Sequence, residues 1–176
     1  IIIKSTQATI QQLQLQNKTA NEIEAIIGLG LIESAKCLYP EISSEKHEIL
    51  ADCYRQKYID LYKGPNPLFP DVITTLEKLK SMGYILAIAT SKSRNGLNRD
   101  IIGWNLEKYF SAIRCVEDTE SKPAPDMVIE LMDELQIHPQ HSLMVGDSLY
   151  DIQMANNAGI ASILADYTEK QPTHLL

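Results

Sequence analysis

The stretch Leu143-Met144-Val145-Gly146-Asp147-Ser148-Leu149-Tyr150-Asp151 constrains this chain more than any other, because an apolar run breaks off at Gly-Asp and a second aspartate follows four residues on. A short apolar run that opens through glycine into a helix-like pattern reads as a buried strand feeding a loop and a helix. Open α/β sheets place their ligands at such strand ends. Two carboxylates there can hold Mg²⁺. The plainer alternative is that Asp147 turns the chain while Asp151 sits in the first turn of a helix, where the dipole favours negative charge. Taken alone, these residues leave both readings open.

The rest of the chain divides at Gly64-Pro65-Asn66-Pro67, where two prolines and a glycine in four residues cannot continue a helix. Residues 1–63 carry helix signals and no strand. Ile3, Ile10 and Leu13 share one face of a Gln-rich helix, and Thr19 with Glu22 has capping-box spacing ahead of Ile23, Ile26 and Ile27, with Gly28 as the stop. Ile32–Leu38 ends before Pro40. Ser44 is placed to cap a longer helix through Ile49, Leu50, Cys53, Tyr54, Lys57, Tyr58 and Leu61. The expectation is a small helical bundle over 1–63, a linker at 64–67 and a second unit over 68–176.

In that second unit helices and strands alternate. A helix over Asp71–Met82 stops at Gly83. Ile85–Thr90 has the continuous apolar character of a parallel strand covered on both faces. The loop Ser91-Lys92-Ser93-Arg94-Asn95-Gly96 leads to a helix through Leu97, Ile101 and Ile102, then a short strand at Ala112–Val116. Ser121-Lys122-Pro123-Ala124-Pro125-Asp126 opens a helix through Met127, Val128, Leu131, Met132 and Leu135. Strand Leu143–Val145, helix Ile152–Ala158 and strand Ile160–Leu164 complete the series. This order predicts an α/β fold with a doubly wound, Rossmann-like parallel sheet and right-handed crossovers.

Composition narrows the partners. The 176 residues, 44% of them hydrophobic, suffice for one substantial core and a small accessory unit. The formal charge of −7, with scattered lysines and arginines, gives no footprint for nucleic acid or an anionic membrane and favours a small soluble partner. The three cysteines, Cys37, Cys53 and Cys115, lack CxxC or Cys/His spacing and read as reduced structural thiols of a cytoplasmic protein. No apolar run approaches the roughly 20 residues that span a bilayer, and the amino end lacks a signal-peptide plan.

Three segments should converge on one edge of the sheet: Thr90-Ser91, Lys122, and Asp147 with Asp151. A hydroxyl beside backbone N–H groups, an ammonium and a carboxylate-bound Mg²⁺ are the parts that hold a phosphoryl group and neutralise its developing charge. Individually, Thr90 also suits a strand end, Ser91 a helix cap and Lys122 a solvated loop. Lys92 and Arg94 are placed either to touch substrate or to solvate their loop.

In order and spacing, ILAIATSKSRNGL, SKPAPDM and LMVGDSLYDIQMANNAG resemble the haloacid dehalogenase superfamily, in its phosphoglycolate-phosphatase-like branch with a helical cap. The likeness spans essentially the whole chain. It implies a Rossmann-like core over 68–176 and a helical cap over 1–63. It also implies that Thr90 is the phosphate-binding hydroxyl assisted by the Ser91 backbone, and that Lys122 steadies phosphate and nucleophile. Asp147 corresponds to the direct Mg²⁺ ligand, and Asp151 to the acidic position that binds the metal through water or pairs with the lysine. The family's DxDGT motif, whose aspartates are nucleophile and general acid/base, is not in this sequence, and Ile1–Thr19 contains no aspartate. In the family that motif ends the strand between those of Ile85–Thr90 and Leu143–Val145. The sequence is therefore expected to lack a first central strand and to be part of a longer protein, with Thr173–Leu176 approaching a further strand.

The leading expectation is a Mg²⁺-dependent phosphatase acting on a small phosphorylated metabolite, phosphoglycolate among the candidates, through an aspartyl-phosphate. The alternatives are a dehalogenase, which needs no Mg²⁺, a phosphomutase, and a catalytically inactive binding module that keeps the pocket without its nucleophile.

Overall fold

The computed structural model describes residues 1–62 and 64–166. Its first part is helical: α1 (Ile2–Gln12), α2 (Ala20–Glu24), α3 (Leu31–Leu38) and α4 (Ser44–Leu61). α1 and α3 both pack on α4. Ile10, Ala35, Leu38, Tyr39 and Leu50 form the shared core, with Leu13 and Ile26 packed against it. The Thr6 and Thr9 hydroxyls are buried by donating to the carbonyls of Ile2 and Ser5, one turn back, at 3.0 and 2.9 Å. This lets a polar helix present a dry face.

Two helix ends differ from the sequence expectation. The Thr19–Glu22 capping box forms with both of its reciprocal bonds, yet α2 ends at Glu24, well before Gly28. Only Ile23 of its three isoleucines is buried, and Gly28 at φ +110° bends the chain beyond the helix. α4 is capped by Ser43 and not Ser44, the Ser43 side chain accepting from Lys46 N at 3.4 Å. Its buried stripe is His47, Leu50 and Ala51, while Ile49 and Leu61 are exposed.

Beyond the linker the order is α5 (Val72–Ser81), β1 (Leu86–Ala89), α6 (Arg94–Gly103), β2 (Phe110–Arg114), α7 (Asp126–Leu135), β3 (Leu143–Gly146), α8 (Leu149–Asn157) and β4 (Ala161–Leu164). The strand expected at 112–116 begins at Phe110, after a short 3-10 turn at Glu107–Tyr109. α8 begins at Leu149, three residues before the expected start, because Ser148 and Asp151 form a capping box. The crossovers from β1 to β2 and from β3 to β4 each join parallel strands, as an α/β fold requires.

The strands do not form one sheet. β1 pairs with β2 and β3 pairs with β4, giving two separate two-stranded parallel sheets. Among the described residues no strand lies on the other edge of β1 or of β3, so nothing bridges the pairs by a ladder. The core follows this division. Leu97, Ile101, Leu106, Tyr109 and Cys115 gather beside β1 and β2. Met127, Val128, Met154, Ala155 and Ile160 gather beside β3 and β4. Helices cover one face only of the second pair: Met144 packs inward, whereas Leu143, Val145 and Ile163 are more than half exposed. The burial expected for strand Leu143–Val145 is therefore not present among the described residues. The tail at 173–176 lies outside the described residues.

The cysteines are all free thiols, with Cys115 buried and Cys37 exposed. No helix among the described residues is long and apolar enough to cross a membrane.

Candidate active site

The loop after β3 is built around a buried carboxylate. Asp151, at the third position of α8, is 4% exposed. Its Oδ2 accepts from the Asp147 N–H at 3.1 Å, the Ser148 N–H at 3.0 Å and the Ser148 hydroxyl at 2.9 Å. Gly146 makes this turn sterically feasible, because a Cβ there would lie 2.3 Å from the Asp151 Cβ and 2.6 Å from its Oδ2. The two alternatives for Asp151 thus coincide, since the residue is a helix-capping acid and also belongs to the polar cluster.

Lys122 joins this loop to the end of β1. Lys122 is 6% exposed, and its ammonium donates to Asp151 Oδ1 at 2.6 Å and to the Ala89 carbonyl at 3.0 Å. The segment that delivers it is held by Asn157 of α8, whose side chain donates to the Pro123 carbonyl at 2.9 Å. Burial alone would raise the Asp151 pKa. The charge and hydrogen bond of Lys122, with the Ser148 donors, outweigh it and hold the carboxyl below the ordinary carboxylate range. The ion pair also spans the two sheets, because Ala89 ends β1 and Asp151 follows β3.

Thr90, next to Ala89, continues the ladder by donating its N–H to Arg114 O at 3.0 Å, and its hydroxyl accepts from the Lys92 N–H at 3.1 Å. The Ser91 hydroxyl donates to the Gly28 carbonyl at 2.7 Å. The structure therefore brings Thr90-Ser91, Lys122 and Asp151 to one locus. Asp147 stands at its edge, exposed, and its side chain takes no part in the hydrogen bonds or ion pairs described. Lys92 and Arg94 are engaged by carboxylates of their own, Lys92 pairing with the buried Asp100 and Arg94 with the exposed Asp118. Among the described residues no group of three or more His, Cys, Asp or Glu side chains is gathered for a metal.

The helical part contributes a further feature at Gly28, expected only to stop a helix, and at Gly30. A Cβ on Gly28 would sit 2.6 Å from Ser148 Oγ, and one on Gly30 would sit 2.7 Å from Ser121 Oγ. Tyr150 also donates to the Ala25 carbonyl at 3.3 Å. The backbone of residues 25–30 thus lies directly over all three site loops. Two glycines two apart were the available signal, but which loops they approach depends on tertiary packing.

The sequence profile of haloacid dehalogenase-like hydrolases matches residues 1–165. The chain belongs to that family. Haloacid dehalogenase-like relatives include a protein described as a putative pyrophosphatase PpaX from Caldanaerobacter subterraneus, 34% identical over 172 residues, covering 96% of this chain and 75% of the relative. Another is a phosphoglycolate phosphatase of Vibrio vulnificus, 32% identical over 163 residues, covering 90% of this chain and 69% of the relative. Among solved structures, a putative haloacid dehalogenase-like hydrolase from Bacteroides fragilis superposes with a TM-score of 0.83 at 28% identity, covering 92% of this chain and 77% of that one. These likenesses put the chain among the phosphatases of the haloacid dehalogenase superfamily, in the phosphoglycolate-phosphatase-like kind, with the α/β fold and helical cap of that group.

Proposed function

We propose that these residues form the phosphate and metal site of a Mg²⁺-dependent phosphomonoesterase acting on a small phosphorylated metabolite. The observation that carries this reading is the Lys122 ammonium, which ties the end of β1 beside Thr90 to the acidic loop after β3. The donor set fits Mg²⁺. Asp147 is a carboxylate without a side-chain partner among the described contacts, and Mg²⁺ is commonly held by one or two carboxylates with water and phosphate oxygens completing the octahedron. Asp151 supports that site from behind, since its two oxygens already receive four donors. When bound, the metal neutralises charge on the phosphoryl oxygens.

In this reading the Thr90 hydroxyl and the Ser91 N–H receive phosphoryl oxygens, and Lys122 stabilises negative charge on phosphate and nucleophile. The nucleophile is an aspartate on a strand seated between β1 and β3, whose facing edges have no ladder partner among the described residues. Its carboxylate oxygen bonds to phosphorus as the phosphorus–ester oxygen bond breaks, and the departing alcohol takes a proton from a second aspartate of the same segment. That second aspartate, now a carboxylate, takes a proton from water as the water oxygen bonds to phosphorus and the bond to the nucleophile breaks, releasing inorganic phosphate and restoring both aspartates. Residues 1–63 act as the cap, hinged at 64–67 on the core of 68–176, and the 25–30 backbone shuts water out of the site. The relatives' names make phosphoglycolate and pyrophosphate the first substrates to try.

The test is phosphate release by the full-length protein from phosphoglycolate, pyrophosphate, sugar phosphates and nucleotide monophosphates, with Mg²⁺ and with a chelator. The reading expects turnover that chelation abolishes and Mg²⁺ restores. Halide release from 2-haloacids unaffected by chelation would overturn it in favour of a dehalogenase.

A further inference from the structure

Asn66, in the middle of the linker, has all four of its polar atoms engaged. Its N–H donates to Asp100 Oδ1 at 2.9 Å and its side-chain NH₂ to Asp100 Oδ2 at 2.8 Å. Its carbonyl accepts from Trp104 Nε1 at 2.7 Å, and its side-chain oxygen accepts from the Tyr58 hydroxyl of α4 at 2.8 Å. Pro65 packs so closely on α6 that a Cβ on Gly103 would lie 2.7 Å from it. Residues that join two units ordinarily need no such grip.

The gripping carboxylate has a second task. Asp100 is 8% exposed, and its Oδ2 also receives the Lys92 ammonium. Lys92 directly follows Ser91, and its own N–H donates to the Thr90 hydroxyl. One buried carboxylate therefore touches the linker on one side and the Thr90-Ser91-Lys92 loop on the other. The continuous series is Tyr58 of α4, Asn66, Asp100 of α6, Lys92 and Thr90. The cap reaches the same loop separately, through the Ser91 hydroxyl on the Gly28 carbonyl.

We propose that Asp100 is a positioning residue: by holding Asn66 and Lys92 with one carboxylate, it sets the pivot of the helical cap and the conformation of the phosphate-binding loop together. This rests on the phosphatase reading above for what the loop binds. Asp100 itself touches neither substrate nor metal in that reading. Ser91–Gly28 and Tyr150–Ala25 are the contacts that part when the cap lifts, whereas Asn66 stays with the core.

The experiment uses the full-length protein and two substitutions that leave Asp100 in place, Lys92→Met and Asn66→Ala, with Asp100→Asn as a third. Amide exchange is read in each, together with kcat and KM on the best phosphate ester found. Coupled groups influence one another reciprocally. Lys92→Met should therefore speed exchange at the Asn66 N–H about tenfold, and Asn66→Ala should do the same at the Lys92 N–H, the scale of coupling between groups in one network. Their effects on kcat/KM should be less than multiplicative when combined. Independent exchange at the two sites with multiplicative kinetic effects would overturn the proposal, even where melting temperatures fall. If Asp100→Asn does not fold, the other two variants and their double mutant still decide it. A wild-type protein that hydrolyses no phosphate ester would count against the phosphatase reading alone, because the exchange measurements need no turnover.

Discussion

Asp151 shows why a residue's role was only half legible. Its spacing from Asp147 marked it as acidic-loop chemistry, and the same spacing marked it as a helix-capping acid, but neither reveals that both oxygens are filled. The filling comes from Lys122, 29 positions earlier, and no local pattern encodes that meeting. The pair is buried on both sides, with side chains 7% and 6% exposed, so removing one partner strands the other. Asp151→Ala should cost about 3–5 kcal/mol in urea unfolding of the full-length protein, the range for breaking buried pairs. Acid should reveal the same interaction. The folded pKa of Asp151 lies below its unfolded value, so the stabilisation is complete above an unfolded value of about 4 and disappears as pH falls through the folded one. Asp100 is also depressed, burial raising its pKa while Lys92 and Asn66 more than compensate, and it adds to the loss in the same direction. Urea midpoints measured downward from pH 5 should decline more steeply in the wild type than in Asp151→Asn. Parallel declines would contradict the assignment.

At the scale of elements, the sequence made most helices readable because caps and periodicities are local. The Thr19–Glu22 box, the α5 stripe Val72, Leu76 and Leu79 and the glycine stop at Gly83 are in place. The misses are equally physical. Ser43 and Ser44 are chemically equal candidates for one cap, and α8 starts early because a serine and an aspartate satisfy its first turn. The two capping boxes now separate stability from function. Thr19→Ala should lower stability by about 1 kcal/mol, the usual cost of a lost cap, and leave phosphate release by the folded protein intact. Ser148→Ala should cost a similar amount and also slow turnover, since the Ser148 hydroxyl it removes donates to the carboxylate that holds Lys122. Thermal melts combined with initial rates distinguish the two, and equal rates in both variants would count against the site.

For the whole molecule, the βα alternation specified the fold class, because strands joined through helices run parallel. Sheet continuity is a different matter, since strand order is not written in any one segment. The described residues form two parallel pairs whose inner edges, on β1 and β3, have no ladder partner, with Lys122 linking their carboxyl ends. Unpaired edges and half-exposed apolar strands are costly in water. In the proposed enzyme the nucleophile's strand occupies that position, so the architecture and the chemistry depend on one another.

The proposed metal site depends most on Asp147, the carboxylate of the acidic loop whose side chain is not already committed to a partner in the described contacts. The most direct measurement is Mg²⁺-dependent phosphate release by full-length Asp147→Asn beside the wild type, with urea unfolding confirming that both are folded. The expected loss is about 100-fold or more, the scale at which a group stabilising transition-state charge is removed. Undiminished activity at the same Mg²⁺ concentration would contradict it.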